Sequence, residues 1–181
     1  MGVPGALPIT KHSSRKFIMV YRIPHEFWTL GNNEFYITDS EGNQKFRVAG
    51  TAFDWGTNLS FQDLDGNELA TIGQEFGPMA PVYSIERDGE VFAEVKKEWS
   101  WAGKSFTLDV PGPNDYSISG RFSEYEFHFI HRGAVVAKVS KIDWNWEDSY
   151  GVDIIDGEDE IAILCTTIII DEVLFEQDRK M

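Results

Sequence analysis

The sequence predicts a mainly β protein with one helix: a closed barrel of about twelve antiparallel strands around a buried, hydrophobic C-terminal helix. Two kinds of turn and one apolar run lead there. Gly42, Gly66, Gly89, Gly112 and Gly133 follow one another at separations of 24, 23, 23 and 21 residues, each inside a polar turn such as DSEGN, DLDGN, RDGE, PGPND or HRGA. Between them comes a second kind of corner, an aromatic residue close to a glycine: FWTLG at Phe27 to Gly31, FDWG at Phe53 to Gly56, EFGP at Glu75 to Pro78, and WAGK at Trp101 to Lys104. Two alternating turn families at regular spacing make an up-and-down meander, which closes as a barrel or folds as a sandwich. The third observation is Ile161 to Ile170 (IAILCTTIII), uncharged in a chain with 30 acidic and 16 basic residues. It is too short to cross a bilayer, which takes about 20 apolar residues. A helix apolar all round sits inside a core, so the strands are expected to wrap it.

The first sixteen residues, MGVPGALPITKHSSRK, hold no apolar stretch of signal-peptide length, and Ala6 stands where a myristoylation motif wants Ser or Thr. Residues 1–15 read as a flexible lead-in to a single domain over 16–181. Strands are expected from Lys16 to Asp153. FYITD and KFRVA flank Gly42, LSFQD and ELATI flank Gly66, and YSIER and VFAEV flank Gly89, all with the period-two alternation of half-buried strands. A longer similarity indicates internal duplication: Ala93 to Val110 aligns without a gap to Ala137 to Ile154, matching Val95 with Val139, Lys97 with Lys141, Ser105 with Ser149 and Asp109 with Asp153.

The terminal segment sets propensity against context. Ile and Thr favour a strand, because β-branched side chains are stiff in helices. A solitary strand inside a barrel could not satisfy its backbone hydrogen bonds, whereas a helix does so alone. Asp156, Glu158, Asp159 and Glu160 precede the run, where carboxylates cap free amides and suit the positive end of the helix dipole. A helix from Glu158 to about Phe175 is predicted.

Composition narrows function. The net charge of −14 opposes nonspecific binding to nucleic acid or to an anionic membrane. The lone Cys165 cannot form an internal disulfide and lies in the apolar run, which fits a reducing, cytoplasmic location with peripheral membrane attachment as an extension.

The DxxGN and DGE turns, the KK and SK strand ends, NDYSISG at Asn114 to Gly120, and YGVDI followed by DGEDE at Tyr150 to Glu160 resemble the LURP-one-related family. Its relatives are the tubby C-terminal domain and the phospholipid scramblases. The resemblance covers roughly Lys16 to Phe175 and implies a tubby-like, twelve-stranded barrel with the C-terminal helix as its core. It also implies a binding role: tubby domains bind phosphoinositides through clustered basic side chains, and scramblase relatives act at membranes. No residue of the tubby lipid site can be matched here.

Motifs for chemistry are sparse. There is no GxSxG, phosphate loop, HExxH or cysteine pair, so neither a cofactor nor a resident metal is expected. His128 and His131 form an HxxH, but residues three apart on a strand face opposite ways. DLDGNE at Asp63 to Glu68 has its glycine too early for a calcium loop and reads as a hairpin turn. The acidic group before the helix reads as capping before it reads as a cation site. Trp99 with Trp101, and Trp144 with Trp146, place two indoles on one face of a strand; packing at a barrel corner accounts for them more simply than a stacking platform does. Basic candidates for a ligand are Lys96, Lys97 and Lys104, with Lys11, Arg15 and Lys16 in the lead-in. Lys96 and Lys97 are consecutive, so a regular strand turns them to opposite faces. The expectation is a non-catalytic binding or scaffold module that meets phospholipid headgroups or a protein through its outer surface. The alternatives are a carrier of a small apolar ligand or lipid, and an enzyme without a recognisable motif.

Overall fold

The computed structural model describes residues 17–25, 34–51, 57–76, 81–100, 103–141, 143 and 147–179. The predicted lead-in lies outside them, as do all residues of the FWTLG and FDWG corners. Twelve strands run among the described residues: β1 (Phe17–Pro24), β2 (Glu34–Asp39), β3 (Gln44–Thr51), β4 (Asn58–Gln62), β5 (Glu68–Phe76), β6 (Pro81–Arg87), β7 (Glu90–Ser100), β8 (Gly103–Asp109), β9 (Tyr116–Arg121), β10 (Glu126–His131), β11 (Ala134–Ser140) and β12 (Ser149–Ile155). Each pairs antiparallel with its neighbours in sequence, and β1 pairs with β12 to close the barrel. Closure leaves no free edge.

The polar turns do what their composition demands. Asp39 Oδ1 accepts the amides of Glu41 and Asn43, each at 2.9 Å, and Asp63 Oδ1 repeats this with Asp65 and Asn67 at 2.9 and 2.8 Å. DLDGN is thus a turn tied by its own aspartate. Asp88 and Gly89 both take positive φ, 53° and 79°, the two-residue type I′ geometry that matches strand twist and for which Asp-Gly is a preferred pair. The two similar segments fold alike: Val95 faces Leu108 across β7 and β8 as Val139 faces Val152 across β11 and β12.

Inward positions of the strands are apolar, and they close on helix α1 (Glu160–Arg179). The helix begins two residues later than predicted and runs four further, past Phe175. Asp159 is the reason for the start: its Oδ1 accepts the Ala162 amide at 3.0 Å, which makes it the cap and leaves Glu158 outside. From Ala162 to Glu172 every residue is buried. Thr166 and Thr167 fit this apolar setting because their hydroxyls donate to the carbonyls of Ala162 and Ile163, at 2.7 and 2.8 Å. No described helix is long and apolar enough to cross a membrane.

Candidate functional site

The three lysine candidates diverge. Lys96 is exposed and sits between Glu94, at 3.3 Å, and Asp109. Lys97 alternates with the buried Ala93 and Val95 and is half-buried on the interior side of β7. Burial, followed by the neighbouring Lys104, pushes its amine below the usual lysine range. Lys104 donates to Gln177 Oε1 of α1 at 2.8 Å, placing a cation near the negative end of the helix dipole. Lys97 and Lys104 therefore share the helix end of the barrel, and Lys96 points away from them. Lys11, Arg15 and Lys16 lie outside the described residues, as do Trp101, Trp144, Trp146 and the side chain of Trp99.

The acidic preface of α1 is clasped by strands. Glu158 Oε2 accepts from Tyr116 Oη at 2.8 Å and lies 2.8 Å from His131 Nδ1, whose ring stacks on Tyr116 with centroids 4.2 Å apart. Asp159 receives both terminal nitrogens of Arg87, at 2.7 and 2.8 Å, and Arg87 lies over the Phe92 ring. Tyr21 donates to Glu160. Farther along, Asp171 accepts from Tyr125 and from Tyr150 at 3.4 Å, and Thr57 donates to Glu172. Burial first, then the carboxylates, hold the phenols of Tyr21 and Tyr116 above the usual tyrosine range. These contacts cap and fasten the helix. No group of metal-ligating side chains occurs among the described residues. His131 reaches inward to Glu158, while His128 lies 3.4 Å from Ser119 Oγ on the outer wall, so the HxxH pair does not converge.

A groove of about 380 Å³ opens on that outer wall, across β9, β10 and β11. Its floor is Gly120 and the backbone of Phe127, and its walls are Arg121, Glu126, His128, Val135 and Lys138. Gly120 has φ +145°, and a Cβ there would lie 2.4 Å from the Glu126 carbonyl and 2.5 Å from Phe127 Cα. Glycine here lets β9 lie tight against the β10 backbone, where no side chain fits. Register builds the walls: His128 stands opposite Ser119 on one side and Lys138 on the other, and Arg121 stands opposite Glu126. Glu126 Oε1 accepts from Ser140 Oγ and the Lys141 amide, each at 2.9 Å. Arg121 pairs with Glu124 at 2.8 Å and Lys138 with Asp143. The Asp143 hydrogen bond is foremost in raising the Lys138 amine above its usual range. Val135, 46 % exposed, forms an apolar lip. Such a groove can offer charge-assisted hydrogen bonds and a small apolar contact. Apart from His128 and from Gly120, which ends NDYSISG, these residues carry no motif; they are brought together by register.

Comparison with known proteins agrees with this architecture. The chain is similar to the uncharacterised protein YxjI of Bacillus subtilis, 30% identical over 144 residues that span 80% of this chain and 87% of that protein. An Arabidopsis thaliana protein solved by X-ray crystallography shares the fold with a TM-score of 0.62 at 18% identity, over 86% of this chain and 91% of its own. The LURP-one-related profile matches residues 19–171, from β1 into the central helix, and by that match the chain belongs to the LURP-one-related family.

Proposed function

We propose that the protein is a non-catalytic interaction module that engages a protein partner through its outer wall, at the groove across β9, β10 and β11. The observation that carries this is the groove itself: convergent polar side chains beside an exposed apolar lip, on a barrel whose axis is filled by its own helix. Central filling weighs against the carrier reading, which needs an internal cavity. Divergence of Lys96 from Lys97 and Lys104 weighs against a headgroup site at that cluster. The tubby and scramblase resemblance keeps a lipid surface as the competing outcome, and a cytoplasmic setting suits the buried free thiol of Cys165.

A photocrosslinking residue at Val135, with the somewhat more exposed Val91 on β7 as the control, tests the reading in the source cells. Discrete adducts from position 135, absent from position 91 and lost in a Lys138→Glu background, are expected. Equal adducts at both positions, or none at 135, would refute it. Sedimentation with phosphatidylserine vesicles, lost on Lys138→Glu, would move the assignment to lipid.

A further inference from the structure

We infer that Lys97 is an acyl-acceptor site, an amine that the fold sets beside Lys104 at the C-terminal end of α1 so that small acyl thioesters modify it in preference to the other lysines of the barrel. Register places the two. Lys97 stands opposite Phe106 across β7 and β8, and Lys104 is two residues from Phe106, on the same side of β8. Phe106 and Leu108 are buried, as are Ala93 and Val95 on the Lys97 side of β7, so both lysines continue the inward face toward the helix. Diagonal neighbours on one face of a strand pair lie about 7–8 Å apart.

Two ammonium groups so placed are not equivalent. Lys104 is exposed and donates to Gln177 Oε1 at 2.8 Å, which suits its charged form. Lys97 is half-buried, where a compact ammonium loses part of its hydration. Of the pair, Lys97 is the one that gives up its proton more readily; burial first, then Lys104, hold its amine below the usual lysine range. Other lysines of the wall are set the opposite way. Lys45 lies 3.4 Å from Asp39, Lys96 lies 3.3 Å from Glu94 and against Asp109, and Lys138 lies against Asp143. A neighbouring carboxylate favours the charged, unreactive form, whereas a lysine that is desolvated or beside another cation is an activated nucleophile.

The step balances without an oxidant or reductant. Neutral Nζ attacks the thioester carbonyl carbon, the C–N bond forms, and the C–S bond breaks. The thiolate leaves with the bonding pair, and the surplus proton of the amine passes through water to it. The amide product is neutral, so modification ends the repulsion between Lys97 and Lys104.

The test is acetylation of the full chain by S-acetyl-N-acetylcysteamine at about pH 8, where an ordinary lysine is almost wholly protonated, with the occupancy of each site read by peptide mass spectrometry at partial conversion. Lys97 should be modified ahead of Lys45, Lys96, Lys104, Lys138 and Lys141. In urea, where the fold no longer sets the pair, that preference should vanish. A like charge at about 7 Å changes the free-amine fraction by a factor of roughly 3 even in water, so Lys104→Gln should slow acetylation of Lys97 about 3-fold. Lys104→Arg, which keeps the charge, should leave the rate near that of the native chain, and a thermal melt checks the fold of both variants. Equal occupancy across the lysines, or a Lys97 slower than the rest, would overturn the assignment in the native chain alone. So would a preference that survives in urea, or a Lys97 rate that Lys104→Gln leaves unchanged.

Discussion

Replacing Asp159 with alanine removes two supports of the central helix at once. The first is the cap, whose Oδ1 accepts the Ala162 amide; losing such a cap costs about 1 kcal/mol. The second is the two-pronged contact with Arg87, between side chains 28 % and 29 % exposed. Hydrogen bonds to charged groups at such partly buried sites contribute roughly 1.5–3 kcal/mol. Together the loss is about 2.5–4 kcal/mol. A chain of this size loses about 2–4 °C of Tm per kcal/mol, so the melting temperature should fall by roughly 5–15 °C. Asp159→Asn separates the parts, because Asn also caps and cannot pair with Arg87 as a charge; it should recover about 1 kcal/mol of the loss and keep the remainder. The assay is calorimetry of Asp159→Ala, Asp159→Asn, Arg87→Ala and the double variant Arg87→Ala with Asp159→Ala. Contact between the two predicts non-additivity well above the 0.3–0.5 kcal/mol scatter of independent sites. An additive cycle, or an Asn variant as stable as the native chain, would refute the account. Acidity gives a second arm. Burial pushes the Asp159 carboxyl up, but the Arg87 hydrogen bonds and the Ala162 amide outweigh it and hold it below the usual aspartate range. A depressed folded pKa gives stability that is complete above the unfolded value of about 3.9 and is lost as pH falls through the folded one. The native and Asp159→Asn stabilities should therefore converge in acid.

Two other outcomes follow from the core. Cys165 is buried, and burial raises its thiol pKa above the usual range, so Ellman's reagent at pH 8 should leave the folded chain unmodified and titrate one thiol in urea; ready reaction in the native state would contradict the enclosed helix. Truncation before Glu158 should give an aggregating product, since buried side chains such as Ile163, Leu164, Ile168, Ile169 and Ile170 each contribute about 1.5–3 kcal/mol, together comparable to the 5–15 kcal/mol that hold a domain; a soluble, cooperatively melting fragment would refute this.

What the sequence revealed and what it hid divide by the range of the interaction. Polar turns were legible because Asp39 with Asn43, or Asp88 with Gly89, act within a few residues. The helix was legible against its β-branched composition because an isolated segment inside a barrel has no other way to satisfy its amides. Its bounds were less so: the cap could have been any of four acids, and FEQDR after the apolar run consists mostly of residues that continue a helix readily. The clasp was hidden, since Tyr21 lies 139 residues from Glu160 and Arg87 lies 72 from Asp159. The groove was hidden for a different reason. It is made by the pairing of three strands, with Gly120 letting β9 lie tight against β10, and within NDYSISG that glycine looks like any other.

Those two hidden features belong together physically. A helix that fills a barrel must bring its backbone ends and its few polar side chains into a place without water, and each carboxylate there needs a donor from the wall. Tyr21, Arg87, Tyr116, His131 and Tyr150 meet that need from inward strand positions, and Tyr125 and Thr57 from the residues just before β10 and β4; in doing so they fix the wall around the helix. The rigid cylinder that results has no edge for an added strand, and its axis is occupied. Recognition is then left to side chains standing on the outer wall, where rigid strands hold them in register. On β9, β10 and β11 that register sets two cations, a carboxylate and an imidazole around a depression. The same closure that hides the helix thus gives the outer groove a fixed shape.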